Sequence, residues 1–256
     1  MTDLLRSLAM SFLMFSIVPM PKIAWKPENM RYILVWLPLV GVFIGFVQWV
    51  WLLICDALSF GSLLFAAGLT LLPVLLSGGV HMDGFCDTAD ALASHASPER
   101  KREILKDSHA GAFAVIFTAS YLLLFFALCT ELPRTAVSVL ILGAHQVFAR
   151  VLGSLCSLFL PSSSEGLQHT FRSAAHQKTA PLLAVWAAAC AASLCILSPA
   201  SGVVCIAVFL LCLFYLYRMS KEEFGSMSGD LAGYIITLSE LLMLLSCIVT
   251  ERLVSL

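Results

Sequence analysis

Charged residues are scarce in this chain. Asp, Glu, Lys and Arg make up 12% of its 256 residues, whereas a soluble globular domain carries about 25%. The hydrophobic fraction is 60%, and the mean hydropathy is +0.93. This composition excludes an ordinary soluble enzyme and predicts that most of the chain lies in a lipid bilayer.

An excess of positive charge is also absent, because the formal net charge is -1. We therefore expect no nucleic-acid partner. The nine cysteines include no CxxC pair and lie scattered in apolar segments, so we interpret them as small buried hydrophobic residues and expect neither disulfides nor a zinc site. Because no internal repeat or low-complexity tract divides the chain, residues 1–256 are predicted to form a single integral membrane domain.

Long apolar runs recur along the chain, and a run of at least about 18 residues can cross about 30 Å of hydrocarbon. They predict an all-α, polytopic membrane helical bundle of about seven spans. The predicted spans are residues 33–55, 60–77, 110–129, 135–160, 180–198, 202–217 and 231–250. Because the sixth run is short and the fourth contains charge, six spans plus re-entrant helices is the alternative.

The first segment, MTDLLRSLAMSFLMFSIVP, has the apolar character of a signal peptide. Arg6 and Ser7 interrupt its apolar run, Pro19 and Pro21 end it early, and no small-residue cleavage site follows. We therefore predict a short interfacial or re-entrant helix that remains part of the protein.

The connections between the predicted spans differ strongly in charge. If successive loops alternate between the two sides, 12 of the 15 Lys and Arg lie on the side of the N-terminus. Only Arg134 and Arg252 lie on the opposite side, and Arg150 falls inside a span. Because Lys and Arg accumulate in cytoplasmic loops, this asymmetry predicts a cytoplasmic N-terminus.

The same rule makes the loops at 78–109, 161–179 and 218–230 cytoplasmic. Most of the acidic residues and five of the six histidines lie in or beside these loops. Transporters and channels place their ionisable groups near the middle of the bilayer. Collection of these groups at one face instead favours an enzyme that works at the cytoplasmic surface.

The densest group of acids lies in GGVHMDGFCDTADAL, residues 78–92. On a helix, Asp83, Asp87 and Asp90 share one face because they are spaced i, i+4 and i+7. Carboxylates this close repel one another, and Mg²⁺, whose coordination substrate phosphates can complete, would stabilise them. An exposed acidic face on a surface helix is the structural alternative.

Other residues of this motif are also suited to phosphate chemistry. Gly78 and Gly79 allow the backbone to bend and to approach a ligand closely. His81 is a candidate to bind a phosphate or to move a proton.

Two further segments on the same side combine acids with small residues. In KDSHAG (106–111), Ser108 is a candidate N-cap of a helix whose N-terminus would suit a phosphate. In GSMSGDLAG (225–233), Asp230 is a candidate fourth metal-binding carboxylate. A plain helix cap and a simple Gly/Ser turn are the respective structural alternatives.

Arg150 and Glu240 are predicted to lie inside the bilayer, each about ten residues or 15 Å from the cytoplasmic end of its span. Such charges are costly unless they are paired or face a wet cavity. Two interpretations stay open: the residues pair with each other, or Arg150 reaches a phosphate while Glu240 orients it. Nearby, the polar loop SSSEGLQHTFR (162–172) offers Glu165, His169 and Arg172.

Taken in order, these segments resemble the cobalamin synthase (adenosylcobinamide-GDP ribazoletransferase) family. GGVHMDGFCDTADAL resembles the GG-x-H-x-DG-x-x-D-x-x-D signature of that family. REILKDSHAGAFAVI (102–116) resembles the KDS-x-x-G segment of the family. FGSMSGDLAGYIITLSELL (224–242) is similar to its G-x-[ST]-GD segment with a trailing Glu. FSIVPMP (15–21) and Arg150 followed by EGL (165–167) also match in order.

The departures from the family pattern are few. His109 stands where the family commonly has Arg, and Ser228 replaces a Thr but keeps the hydroxyl. Ile17-Val18 stands where the N-terminal segment of the family has an Arg before its Pro.

The resemblance implies an Mg²⁺-dependent transferase of the final stage of cobalamin biosynthesis. It would join adenosylcobinamide-GDP to α-ribazole or α-ribazole 5′-phosphate and release GMP. We expect it in a bacterial or archaeal cell membrane, with a cytoplasmic active site. Its partners would be corrinoid and nucleoside substrates and the lipid bilayer, with association with other late corrinoid-pathway enzymes and homo-oligomers as further expectations.

The roles expected from this chemistry fall on the residues already singled out. Mg²⁺ would be held by Asp83, Asp87 and Asp90, with Asp230 or Asp107 completing the site. His81 or a carboxylate free of metal would accept the hydroxyl proton. The candidate substrate- or phosphate-binding residues are Gly78, Gly79, Lys106, Ser108, Arg150, Arg172, Ser228 and Glu240.

Two other classes of membrane transferase are the nearest rivals. CDP-alcohol phosphatidyltransferases have Ala-Arg three residues after their Asp-Gly pair, whereas Asp83-Gly84 is followed by Phe85, Cys86 and Asp87. Aspartate-rich prenyltransferases need two separated D-x-x-x-D clusters, and this chain has one dense cluster. From a different class, a transporter has only Arg150 and Glu240 in its favour.

Overall fold

The computed structural model describes residues 3–107, 109–162 and 166–255. This part of the chain folds into twelve α-helices and contains no β-strand. The helices are α1 (Asp3–Phe15), α2 (Pro27–Met30), α3 (Ile33–Ala57), α4 (Ser62–Leu76), α5 (Val80–Ala93), α6 (Pro98–Ile104), α7 (Ala112–Glu131), α8 (Ala136–Phe159), α9 (Leu167–Ala174), α10 (Thr179–Leu197), α11 (Pro199–Glu222) and α12 (Gly229–Val254).

Six of these helices are long and apolar enough to cross a membrane, namely α3, α7, α8, α10, α11 and α12. They coincide with six of the seven predicted spans, and the prediction of a polytopic helical membrane bundle is confirmed. The sixth predicted run, 202–217, lies within α11, whose 24 residues make it a full-length span.

The second predicted span, 60–77, has a different form. Its helix α4 has only 15 residues, about 22 Å at 1.5 Å per residue, and a bend of 90° separates it from α5. The bend falls at Gly78 and Gly79, whose φ angles of 67° and 78° lie in the left-handed region that glycine adopts without steric cost. The described helices therefore give six spans plus a bent pair, or seven spans if the bent pair counts as one, and the sequence predicted both counts.

Contacts between connections define the two ends of the bundle. At one end, which we call the opposite end, Arg134 bonds to Asp56 at 2.7 Å and donates to the Phe60 carbonyl at 2.5 Å. There Arg252 also bonds to Glu131 at 3.0 Å. At the other, called the site end, lie α6, α9, the C-terminal part of α5 and the first turn of α12.

Helix α8 is the most buried of the six spanning helices and packs against α3, α10 and α12. Glycine allows close approach at its crossing with α3, because a Cβ on Gly45 would lie 2.9 Å from the Cα of Gly143. The crossing brings polar side chains of α8 into the interior, including His145, Gln146 and Arg150.

Helix α1 enters the bundle beside α3 instead of standing apart from it. Met10 and Phe12 are buried, and the Ser7 hydroxyl donates to the Asn29 carbonyl at 2.7 Å. The N-terminal segment predicted to be an interfacial or re-entrant helix is thus a helix of 13 residues that packs on the protein.

Candidate active site

The predicted helix over residues 81–92 is present as α5, and it packs against α12 and α7. Glycine sets how closely α5 and α12 approach. A Cβ on Gly84 would lie 2.7 Å from the Asp230 carbonyl, and one on Gly233 would lie 3.0 Å from the His81 carbonyl. Since no larger side chain fits there without a shift, these two glycines keep Asp83 and Asp87 next to the first turn of α12.

The carboxylates of this crossing form one electrostatic cluster. Asp83 is exposed, whereas Asp87 and Asp230 are half-buried. Partial burial, together with the charges of Asp83, Asp230 and Asp90, raises the pKa of Asp87 from 3.8 to about 6. Each of these neighbours penalises a negative charge on Asp87, so a bound cation would relieve the repulsion.

In the described part of the chain, no positive side chain relieves this repulsion by pairing with the cluster. Among the described residues, no Lys, Arg or His forms an ion pair with Asp83, Asp87, Asp90 or Asp230. The cluster therefore differs from an acidic surface whose charges are neutralised by neighbouring side chains.

Asp90 has a further role at the start of α7. Its carboxylate accepts a hydrogen bond of 3.3 Å from the backbone N–H of Ala114, which lies in the first turn of that helix. A side chain on Gly111 would overlap the same carboxylate. Asp90 thus binds one of the free N–H groups that every helix leaves at its start. The sequence predicted this capping role for Ser108, which lies outside the described residues.

Ser228 and Asp230 form the corresponding start of α12. Ser228 is the N-cap and accepts a 3.2 Å hydrogen bond from the Leu231 N–H. Its hydroxyl also donates to the Asp230 carboxylate at 3.3 Å. The cap fixes the orientation of the first turn, and with it the direction in which Asp230 faces α5.

The donor set at this crossing fits a hard divalent cation. Carboxylate oxygens are the ligands that Mg²⁺ prefers, and one or two of them suffice when water and substrate phosphates complete the coordination. No group of three His, Cys, Asp or Glu side chains in the described part of the chain is already arranged to hold a metal. The residues therefore suit a site completed by substrate better than a closed structural metal site.

His81 is buried beneath the cluster, with 6% of its surface exposed. Its ring stacks on Phe15 at a centroid distance of 5.9 Å, and its Nε2 has no hydrogen-bond partner among the described residues. The backbone carbonyl of His81 accepts from the Thr237 hydroxyl at 3.2 Å. The imidazole thus lies in the interface between α1, α5 and α12, away from solvent.

Arg150 and Glu240 pair with each other in the interior. The Arg150 Nη1 atom donates to the Glu240 carboxylate at 2.8 Å and to the side-chain oxygen of Gln146 at 3.0 Å. The two charged side chains are only 1% and 7% exposed. Of the two interpretations that the sequence left open, the geometry is that of the internal pair.

The remaining predicted site residues lie in exposed positions. Lys106, Asp107 and Arg172 are exposed. The carboxylate of Asp107 accepts from the backbone N–H of His109 at 3.0 Å and bonds to its ring Nδ1 at 2.8 Å, and these bonds hold its pKa below the usual value. The structure therefore brings Asp230, but not Asp107, beside the carboxylates of α5.

Sequence reasoning missed the residues that support the cluster. Gly233 follows Gly229 by four residues on α12, and this spacing of two small residues is typical of a close helix crossing. Gly111 and the partnership of Asp90 with α7 had no local signal, because Asp90 is 24 residues from Ala114 in the chain.

Comparison with known proteins adds an independent observation. The profile of the cobalamin-5-phosphate synthase family matches residues 7–248. A protein of Lachnoclostridium phytofermentans named adenosylcobinamide-GDP ribazoletransferase is 37% identical over 252 residues, covering 98% of this chain and 96% of its own length. A protein of the same name from Pseudomonas savastanoi pv. phaseolicola is 36% identical over 86% of this chain and 89% of its own length.

A third protein of that name, from Clostridium perfringens, is 29% identical over 92% of this chain and 94% of its own length. No solved structure matches the chain.

Proposed function

The chain belongs to the cobalamin-5-phosphate synthase family, and we propose that it is an adenosylcobinamide-GDP ribazoletransferase. It joins adenosylcobinamide-GDP to α-ribazole, or to α-ribazole 5′-phosphate, and releases GMP. The products are adenosylcobalamin or its 5′-phosphate.

The observation that carries this proposal is the cluster of carboxylates at the crossing of α5 and α12, which has no cationic partner among the residues that the structure describes. Asp87 has a pKa raised to about 6 by burial and by Asp83, Asp230 and Asp90. Transfer between phosphates needs positive charge beside the reacting oxygens, and such a cluster recruits that charge as a metal ion. The cluster is built from the same motifs that carry the resemblance to the family.

Asp83, Asp87 and Asp230 would hold Mg²⁺, with Asp90 at the edge of the group because it also caps α7. When bound, the ion supplies positive charge that stabilises the phosphate oxygens of the diphosphate and of the leaving GMP. A closed set of protein ligands would be unnecessary, because the oxygens of the diphosphate could supply the remaining ligands.

In the reaction, a ribose hydroxyl oxygen of the ribazole bonds to the cobinamide-side phosphorus. The bond from that phosphorus to the bridging oxygen breaks, the electron pair leaves with GMP, and the proton of the attacking hydroxyl is released. The chain's contribution is to bind and orient these groups: Ser228 fixes Asp230 at the start of α12, and Gly84 holds α5 against it. The hydrogen bond from the Thr237 hydroxyl to the His81 carbonyl joins α12 to α5, and the Arg150–Glu240 pair joins α8 to α12.

The proposed site lies on the cytoplasmic side of a bacterial cell membrane. Twelve of the 15 Lys and Arg flank the connections at the site end, as expected for cytoplasmic loops. Lys106 is exposed at that end and Glu131 is exposed at the opposite end, so cysteine introduced at either position is accessible. In intact cells, a membrane-impermeant thiol reagent should label Glu131→Cys and not Lys106→Cys, and the reverse pattern would refute the orientation.

The activity itself is tested with the purified protein in liposomes. Adenosylcobinamide-GDP, α-ribazole and Mg²⁺ should give equal amounts of adenosylcobalamin and GMP, and chelation by EDTA should stop both. Absence of both products, with a folded protein and active reagents, would contradict the proposed function. Comparison of α-ribazole with its 5′-phosphate in the same assay identifies the preferred acceptor.

A further inference from the structure

Helix α6 lies at the site end and holds a lysine in an unusually buried position. The Lys101 side chain is only 6% exposed and forms an ion pair with Glu223, which follows directly after α11. Arg100, on the same short helix, also forms an ion pair, with Glu103 at 2.7 Å, but these side chains are 66% and 63% exposed. Removing a lysine from water is unfavourable unless its partner is well placed, so Lys101 is held by a specific contact with the turn after α11.

The neighbouring residue on α6 contacts the same turn. The guanidinium of Arg102 donates to the backbone carbonyl of Phe224 at 2.6 Å. Gly225 follows with φ of 70°, and a Cβ there would lie 2.9 Å from the Arg102 Nη1 atom. Lys101 and Arg102 therefore contact the three consecutive residues Glu223, Phe224 and Gly225. The positive φ of Gly225 is suited to glycine.

This turn leads directly into the candidate active site. Phe224 and Met227 are each 1% exposed, and the backbone N–H of Met227 donates to the Pro161 carbonyl at 2.7 Å. The next residue is Ser228, the N-cap whose hydroxyl bonds to Asp230. Two buried side chains and one backbone hydrogen bond thus anchor the path from α6 to the Asp230 carboxylate.

We propose that Lys101 and Arg102 of α6 are positioning residues for Asp230. By holding Glu223 and Phe224, they set the direction in which α12 begins and the place of its first carboxylate against Asp83 and Asp87. The inference rests on the proposed function, in which Asp230 contributes to the reaction. The polar contacts of the two basic residues are with Glu223, Phe224 and Glu99, so their effect on Asp230 is indirect.

The test compares Lys101→Met with Arg100→Met, which removes an exposed pair from the same helix. The turnover number and KM for adenosylcobinamide-GDP are measured in liposomes, and amide hydrogen exchange is followed in peptides covering residues 223–231. For Lys101→Met we expect a fall in turnover of about tenfold to a hundredfold, as for a misplaced reacting group, KM within about twofold, and faster exchange in that segment. Arg100→Met should change none of these.

Rescue separates positioning from general loss of structure. Exchanging the charges in Lys101→Glu with Glu223→Lys should restore much of the turnover and slow the exchange again. Should Lys101→Met fail to fold, Arg102→Gln tests the same turn through its contact with Phe224. Wild-type turnover in Lys101→Met, or lost turnover with unchanged exchange at 223–231, would overturn the inference.

Failure of the proposed function gives a different result. In that case the wild-type protein has no ribazoletransferase activity, while the exchange measurement still reports whether α6 orders the start of α12.

Discussion

Acidic side chains occur at both ends of the bundle, but their surroundings differ. At the opposite end, Asp56 pairs with Arg134 at 2.7 Å and Glu131 with Arg252 at 3.0 Å. Glu251 accepts hydrogen bonds from the hydroxyls of Ser198 and Ser201 at 2.5 and 2.7 Å. Each of these carboxylates is satisfied by the protein itself.

At the site end, Asp83, Asp87 and Asp230 have no cationic partner among the described residues. A shortage of cations is not the reason, because 12 of the 15 Lys and Arg flank that end. Some of those cations pair with other acids, as Lys101 does with Glu223. The contrast shows that the placement of the Lys and Arg side chains, and not their number, leaves the α5–α12 cluster open to a cation from solution.

The largest expected effect is a loss of turnover when one carboxylate of the site end is neutralised. A carboxylate of the opposite end serves as the control. Asp87→Asn should lower ribazoletransferase turnover by about 10²–10³-fold, the loss typical of removing one group that stabilises a developing charge. Glu131→Gln removes a carboxylate that forms an exposed ion pair with Arg252. It should leave turnover within about twofold of the wild-type value. Both variants are assayed in liposomes after a check of folding by circular dichroism. Equal losses in the two variants would remove the distinction between the ends.

The next effect concerns stability and sharpens the contrast between buried and exposed pairs. Arg150→Met leaves Glu240 buried without its partner, so it should destabilise the protein by about 3–5 kcal/mol. Arg252→Met breaks an exposed pair and should cost about 0–1 kcal/mol. Thermal unfolding in detergent measures both, and the double variant Arg150→Met with Glu240→Leu should recover part of the loss. If Arg150→Met is as stable as Arg252→Met, the interior pair is not the support inferred from its geometry.

A smaller effect is expected from the helix crossing that brings the carboxylates together. Gly84→Ala must displace α12, because its Cβ would lie 2.7 Å from the Asp230 carbonyl, and we expect turnover to fall about tenfold, since small misplacements reduce rates strongly. Gly229→Ala, at the start of α12, meets no atom within 4 Å and serves as the matched variant. Steady-state kinetics decide the matter, and full activity in Gly84→Ala would show that the close approach is unnecessary.

The smallest effect is a pH dependence of stability in the absence of metal. Because the folded protein raises the pKa of Asp87 from 3.8 to about 6, its favourable contribution is complete below about pH 4 and is lost as the pH rises through 6. In EDTA, the Tm should therefore fall by about 2–4 °C over this range, and less in Asp87→Asn. At pH 7, Mg²⁺ should raise the wild-type Tm. A rising Tm from pH 4 to 6 that depends on Asp87 would contradict the shift.

The sequence was sufficient for the spans and for the acidic helix, because both follow from local patterns. Apolar runs marked the six spanning helices, and the spacing of Asp83, Asp87 and Asp90 marked one face of α5. The 90° bend before α5 was harder to predict, since Gly78 and Gly79 permit a bend without specifying its angle.

The division of roles within the site depends on long-range contacts that spacing does not encode. Asp90 was predicted to be equivalent to Asp83 and Asp87, yet it caps α7 through Ala114. Asp107 was a candidate equal to Asp230, yet it bonds to His109 in an exposed loop. Both outcomes follow from the arrangement of α5, α7 and α12, which only the folded structure provides.

The central claim is that the carboxylates at the α5–α12 crossing bind a divalent cation, and Mn²⁺ binding followed by electron paramagnetic resonance tests it most directly. The detergent-solubilised wild-type protein and Glu131→Gln should bind Mn²⁺ with the same affinity, and Mg²⁺ should compete for it. The double variant Asp87→Asn with Asp230→Asn should lose this binding while remaining folded. Equal Mn²⁺ affinity in the double variant and the wild type would contradict the account.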